Sequence, residues 1–209
     1  MNATRVAMFA KAPRPGRVKT RLIPALGRER AAQLAARLLL HTVREALAAH
    51  IGVVELCASP LPSHPDWHGV LPESLRRSLL WTAQGTGDLG ERLARAAARI
   101  EAQGQAMLLI GTDCPALDAP TLQRAALVLT QHDAVLIPST DGGYVLLGLN
   151  RFHPAVFAGV PWSTARVAQC TRERFREIGW RWAELPALTD IDEPANLGAL
   201  PAGLWEPSA

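Results

Sequence analysis

The stretch Val6–Leu22, VAMFAKAPRPGRVKTRL, decides how the chain is read. It begins as an apolar strand, VAMFA, and breaks into a loop carrying Pro13, Pro15 and Gly16. Lys11, Arg14, Arg17, Lys19 and Arg21 follow the strand within a few residues of one another. Lys11 and Lys19 are the only lysines; every other basic residue among the 22 is arginine. A lysine ammonium is a compact point charge suited to phosphate. Open α/β sheets hold ligands beyond the carboxyl ends of their strands. The expectation is an anion-binding loop at the end of a first parallel strand. The loop has neither the G-x-x-x-x-G-K-[ST] of a P-loop nor the G-x-G-x-x-G of a dinucleotide fingerprint.

Outward from this stretch, strand and helix signals alternate. Gly27–His50 has Leu34, Leu38, Leu39, Val43 and Leu47 at helical spacing, and Val53–Ala58 reads as a strand. Leu79–Ala83 is a short strand candidate, and Asp88–Gln103 is a helix with Asp88 and Glu91 spaced as a capping box. Ala106–Gly111 is a continuous apolar run, as a strand covered on both faces should be. A helix follows from Asp118 to about Gln131, then strands Ala134–Pro138 and Tyr144–Leu149, a helix ending near Ile178, and a short strand at Trp182–Leu185. The pattern implies a three-layer α/β/α fold with a mostly parallel sheet, in one domain spanning 1–209.

Composition narrows the function classes. At 48% hydrophobic and 20% charged, the chain has the make-up of a globular protein. No apolar run approaches the length of about 18 residues that a membrane span needs. The first apolar stretch is interrupted by Lys11 and prolines, unlike a signal peptide. Three scattered cysteines, Cys57, Cys114 and Cys170, suit a reducing cytoplasm better than a disulfide framework or a zinc site. The net charge of +3 is mild and the helices mix Arg with Glu, so no nucleic-acid partner is expected.

Four further places could carry chemistry. Asp113 directly follows the apolar run and could hold a divalent cation, or cap the turn before Pro115. Asp190 and Asp192 could add a second carboxylate, or cap the turn at Pro194. Asp141-Gly142-Gly143 could be a hairpin turn or a close backbone approach to a ligand. Gly87 and Asp88 precede a helix whose free N–H groups would suit an anion. Cys114 has no assignable His partner and reads as a small buried residue.

Several motifs occur together and in order: F-A-K-A-P-x-P-G-x-V-K-T-R-L (Phe9–Leu22), G-D-L-G-E-R-L (Gly87–Leu93), G-T-D-C-P-A-L (Gly111–Leu117), D-G-G-Y-x-L-L-G-L (Asp141–Leu149), P-W-S-T (Pro161–Thr164) and T-D-I-D (Thr189–Asp192). Together they resemble the glycosyltransferase-A-like family called rSAM/selenodomain-associated transferase 1. That family is similar to 2-phospho-L-lactate guanylyltransferase and, more distantly, to molybdenum-cofactor guanylyltransferase. The resemblance implies the nucleotide-diphospho-sugar transferase fold. It places the loop with Ala10, Lys11, Pro13, Gly16 and Lys19 around nucleotide phosphates, with Lys19 and Arg21 as the main cations. It makes Asp113 the metal aspartate, Asp192 the second metal carboxylate, and Gly87 and Asp88 neighbours of the base or ribose. The acceptor side would hold Asp141, Gly142, Gly143 and Trp162. The G-x-G-x-R loop of sugar nucleotidyltransferases is absent, with Pro13–Gly16 in its place.

The expected activity is Mg²⁺- or Mn²⁺-dependent transfer of a nucleoside monophosphate from its triphosphate to a small phosphorylated acceptor, releasing pyrophosphate. The alternatives are a glycosyltransferase using a nucleotide sugar, with Asp141 as its base, and a non-catalytic nucleotide-binding or interaction module.

Overall fold

A computed structural model describes residues 4–205. Seven strands, β1 (Thr4–Lys11), β2 (Val54–Ser59), β3 (Leu80–Ala83), β4 (Ala106–Ile110), β5 (Ala134–Pro138), β6 (Tyr144–Leu149) and β7 (Trp182–Glu184), form one sheet in the order β3-β2-β1-β4-β6-β5-β7. β6 runs antiparallel to both its neighbours, and the other pairings are parallel. The reversal follows from the connection: residues 139–143 between β5 and β6 allow a hairpin but not a crossover. Asp141-Gly142-Gly143 is therefore a turn, as its D-G signal suggests.

The helices are α1 (Ile23–Ala48), α2 (Glu73–Arg77), α3 (Leu89–Glu101), α4 (Ala119–Leu129) and α5 (Val167–Glu177). Gly27 (φ 77°, ψ 164°) breaks the first turn of α1 from the rest, so the continuous part begins where the sequence suggests. The capping box of α3 is formed: Asp88 accepts from the Glu91 N–H and Glu91 accepts from the Asp88 N–H, at 2.9 and 2.8 Å.

Strand alternation sends side chains to two packed layers. Val6, Met8, Leu108 and Ile110 pack with Leu39 and Val43 of α1 and Leu122 of α4. Ala7, Met107 and Leu109 pack with Leu93 and Ile100 of α3 and Phe175 of α5. The apolar run at 106–110 is continuous because both of its faces are covered. A third, smaller cluster joins Leu22, Leu34 and Leu38 to Ile191, which is fully buried. Ile191 pins the segment between Asp190 and Asp192 against the start of α1.

Strand order decides where a ligand can sit. From β1 the chain moves outward to β2 and β3, then returns past β1 to β4. The carboxyl ends of β1 and β4 thus flank the point where the winding reverses, which is where open α/β sheets leave a crevice.

Candidate functional site

The loops leaving β1 and β4 meet at this crevice. Lys19 lies in the left-handed region (φ 47°, ψ 43°), which costs a non-glycine residue about 1–3 kcal/mol. Its carbonyl accepts from the Leu22 N–H at 2.9 Å, closing a 3-10 turn at Thr20–Leu22 that the sequence pattern does not announce. This turn buries the Lys19 side chain to 8% exposure and aims its ammonium at two carboxylates. Nζ lies 2.7 Å from Asp192 Oδ1 and 3.4 Å from Asp113 Oδ2. Burial alone would lower the Lys19 pKa, but the charges of Asp113 and Asp192 outweigh it and raise it above 10.5. Lys19 is therefore an ammonium at every physiological pH.

Three separate segments hold this triad. The Asp113 carbonyl accepts from the Ile191 N–H at 2.8 Å, which ties the loop after β4 to the T-D-I-D segment. Gly111 leaves room for the Asp113 carboxylate: a Cβ there would lie 2.7 Å from Oδ1.

Two cavities open on either side of Asp192. The first, about 310 Å³, is lined by Lys11, Arg17, Lys19, Thr112, Asp113 and Asp192. The second, about 530 Å³, is lined by Tyr144 and Trp162 together with Asp141, Asp190, Asp192 and Glu193. Tyr144 and Trp162 meet edge to face with centroids 6.4 Å apart. Trp162 also packs over α3, where a Cβ at Gly90 would collide with its Nε1. A second strained residue, Ser163 (φ 64°), lines this cavity. Gly142 (φ 92°) passes so close to Ala165 that a Cβ would collide with its carbonyl oxygen.

Lys11, Lys19, Asp113 and Asp192 are brought together on the first cavity. Asp141, Gly143 and Trp162 line the second. Arg21 lines the second as well, 3.4 Å from Glu193 and 60% exposed. Ala10 is buried in β1, where its carbonyl accepts from Gln84 Nε2 at 3.0 Å. Pro13 and Gly16 shape the loop without lining either cavity. Gly87 and Asp88 stand at the start of α3, and Leu89 rather than either of them reaches the second cavity. Asp141 Oδ1 accepts from the Gly143 N–H at 2.9 Å and from the Ser139 hydroxyl. Arg17 lines the first cavity, whereas Arg14 of the same loop pairs with Asp66 at 2.9 Å. Only the loop's path separates these two arginines, and no spacing rule reveals it. Cys114 is buried, which pushes its thiol up to about 12 and leaves it a poor nucleophile.

The carboxylates outnumber their partners. Burial, then the charges of Asp113, Asp141 and Asp192, push the Asp190 carboxyl up to about 6 from 3.8. Ionised Asp190 is therefore a cost to the folded state above pH 6, and below pH 3.8 the group is protonated whether folded or not. Asp190→Asn should stabilise the protein at pH 8 by about 1 kcal/mol, allowing for screening at a half-buried group. Thermal unfolding at pH 8 and pH 3.5 checks this; an equal gain at both would contradict it.

A divalent cation suits this donor set. Hard carboxylate oxygens are magnesium's preferred protein ligands. The Lys19 ammonium already stands in as a cation shared by two of them. Among the described residues, no three His, Cys, Asp or Glu side chains converge as a ready-made metal cage. Magnesium is usually held by one or two carboxylates, with water and phosphate completing its shell.

The seven-stranded sheet in this order has the nucleotide-diphospho-sugar transferase fold, as solved structures show. A protein from Desulfovibrio desulfuricans G20, classed provisionally as a nucleotide-diphospho-sugar transferase, is 30% identical with a TM-score of 0.80, over 95% of this chain and 90% of that one. 4-Diphosphocytidyl-2C-methyl-D-erythritol synthase shares the fold at a TM-score of 0.60 and 10% identity, over 94% and 96% of the two chains. So does 2-C-methyl-D-erythritol 4-phosphate cytidylyltransferase from Thermus thermophilus, at 0.51 and 16%, over 95% and 96%. The chain belongs to the family described as uncharacterized protein conserved in bacteria (DUF2064), whose pattern matches residues 42–164. No protein of curated function matches it.

Proposed function

We propose that the protein is a nucleotide-dependent transferase that moves a nucleoside monophosphate from a nucleoside triphosphate to a small phosphorylated acceptor. One observation carries this reading: carboxylates from two loops converge on one buried lysine at the sheet's switch point, between two adjoining cavities. The fold shared with cytidylyltransferases points the same way.

Lys11, Arg17 and Lys19 line the first cavity and would neutralise the triphosphate. Asp113 and Asp192 would hold the divalent cation, which supplies charge neutralisation at the reacting phosphoryl oxygens. The acceptor would occupy the second cavity with its phosphate between Arg21 and the cation that Asp192 would help to hold. An oxygen of that phosphate forms the new bond to the α-phosphorus, and the α–β bridging P–O bond breaks with its electrons leaving on pyrophosphate. An ionised phosphate needs no general base, so the side chains position and neutralise. The resulting enzyme would work in the cytoplasm without a membrane or nucleic-acid partner.

The second cavity favours one other reading. Arg21 is the single cation among its lining residues, against four carboxylates. That lining suits an acceptor's hydroxyl groups better than a second anion, as in glycosyl transfer from a nucleotide sugar. Asp141 Oδ1 is already held by the Ser139 hydroxyl and the Gly143 N–H, which leaves Oδ2 to act as the base in that reaction. Incubation with Mg²⁺, each nucleoside triphosphate and a panel of sugar and polyol phosphates should release pyrophosphate. Transfer or hydrolysis of a nucleotide sugar without pyrophosphate release would establish the glycosyltransferase. Neither reaction, with nucleotide binding intact, would mark a non-catalytic module.

A further inference from the structure

We propose that Lys19 is the resident cation of the Asp113–Asp192 pair, and that a divalent ion enters by exchange with it as the ammonium passes to the nucleotide phosphates. This rests on the nucleotide–metal reading of the site and adds an order of events to it.

The ammonium occupies the space between the two carboxylates that a shared metal ion would need, 2.7 Å from one and 3.4 Å from the other. Two cations cannot share that space without strong like-charge repulsion. The ammonium has three donors and no acceptor, so it must keep anionic partners wherever it goes. The left-handed backbone at Lys19 shows that the loop is strained to put it there. A way out exists: Lys19 lines the first cavity together with Lys11 and Arg17, where phosphates would collect. A way in exists too, since the Asp113 and Asp192 side chains are 35% and 40% exposed. A metal ion arriving alone would push the ammonium into that cavity with no anion there to receive it. A metal ion arriving with a polyphosphate supplies the ammonium with new partners. Metal and nucleotide should therefore bind with positive coupling.

The test is Mn²⁺ binding to the nucleotide-free protein at neutral pH, followed by electron paramagnetic resonance. Lys19→Met removes the charge at similar length, and Lys19→Gln removes it while keeping a donor for Asp192. Both variants should bind Mn²⁺ at least about tenfold more tightly than the wild type. Adding Asp192→Asn to Lys19→Met should remove that binding. A second readout needs no substitution: because Lys11 and Lys19 are the only lysines, mass spectrometry can compare their labelling by an amine reagent. Saturating Mn²⁺ should raise Lys19 labelling relative to Lys11. Equal Mn²⁺ affinity in the wild type and both variants, or unchanged Lys19 labelling, would overturn the exchange. So would the absence of Mn²⁺ binding in all of them, which would also remove the metal from the proposed reaction. Tighter Mn²⁺ binding in a protein that releases no pyrophosphate would uphold the exchange and discard the reaction alone.

Discussion

Asp113→Ala should lower the rate of pyrophosphate release by about 10²–10³-fold, the usual loss when a preorganised electrostatic group is removed from a reacting centre. The substitution deletes one of two carboxylates facing Lys19 and leaves the fold intact. The group that ties this loop to Ile191 is the Asp113 main-chain carbonyl, which alanine retains. Lys19 keeps Asp192 as a partner at 2.7 Å, so no buried charge is orphaned. The loss should therefore appear in turnover while the unfolding midpoint stays near that of the wild type. Steady-state kinetics alongside thermal unfolding separate the two. Activity close to wild type would mean that Asp113 is only a turn residue, the other reading its sequence position allows.

Glu55→Ala should destabilise the protein by about 3–5 kcal/mol, because it strips the counter-charge from a buried network. The Glu55 side chain is fully buried within β2. It accepts from Arg5 Nη1 at 3.2 Å, Arg99 Nη1 at 3.2 Å and Thr82 Oγ1 at 2.5 Å, and closely from Arg99 Nη2. Removing it leaves Arg5, itself 6% exposed, with Gln103 Oε1 at 2.6 Å as its remaining side-chain partner. Against a typical total stability of about 5–15 kcal/mol, the loss is severe. Burial works to raise the Glu55 pKa, but hydrogen bonds from Arg99 and Thr82 overcome it and hold the carboxyl below its ordinary 4.5. A lowered folded value means that the carboxylate's contribution is fully present above pH 4.5 and fades as pH falls through the folded pKa. Urea unfolding at pH 7 and pH 3 checks both statements. A variant as stable as the wild type at pH 7 would contradict the first, and an undiminished gap between them at pH 3 the second.

Most of the fold is legible from periodicity. The apolar run at 106–111, the Leu-rich helix before Gly52 and the capping box at Asp88 each imply their element, and each element is present. Periodicity does not carry strand direction: β6 is as apolar as β4 and β5 on either side of it, and only the short 139–143 connection reverses it. The short α2 has no buried face and therefore no hydrophobic pattern to read. The approach of Lys19 to Asp113 and Asp192 spans 94 and 173 positions of chain, beyond any local spacing rule. It depends on the left-handed backbone at Lys19, on the room left by Gly111, and on Ile191 burying itself between two acids. The division between two cavities is likewise tertiary, with Arg21 two residues from Lys19 yet on the other side of Asp192.

Calorimetric titration with a non-hydrolysable nucleoside triphosphate, in Mg²⁺ and again in EDTA, tests the nucleotide–metal site most directly. The wild type should bind in Mg²⁺ and weaken sharply in EDTA. Asp113→Ala should lose the Mg²⁺ dependence. Asp118→Ala, which removes only the cap that accepts from the Thr121 N–H at 2.9 Å on α4, should keep it. Equal binding with and without Mg²⁺, or the same Mg²⁺ dependence in Asp113→Ala as in the wild type, would contradict the site.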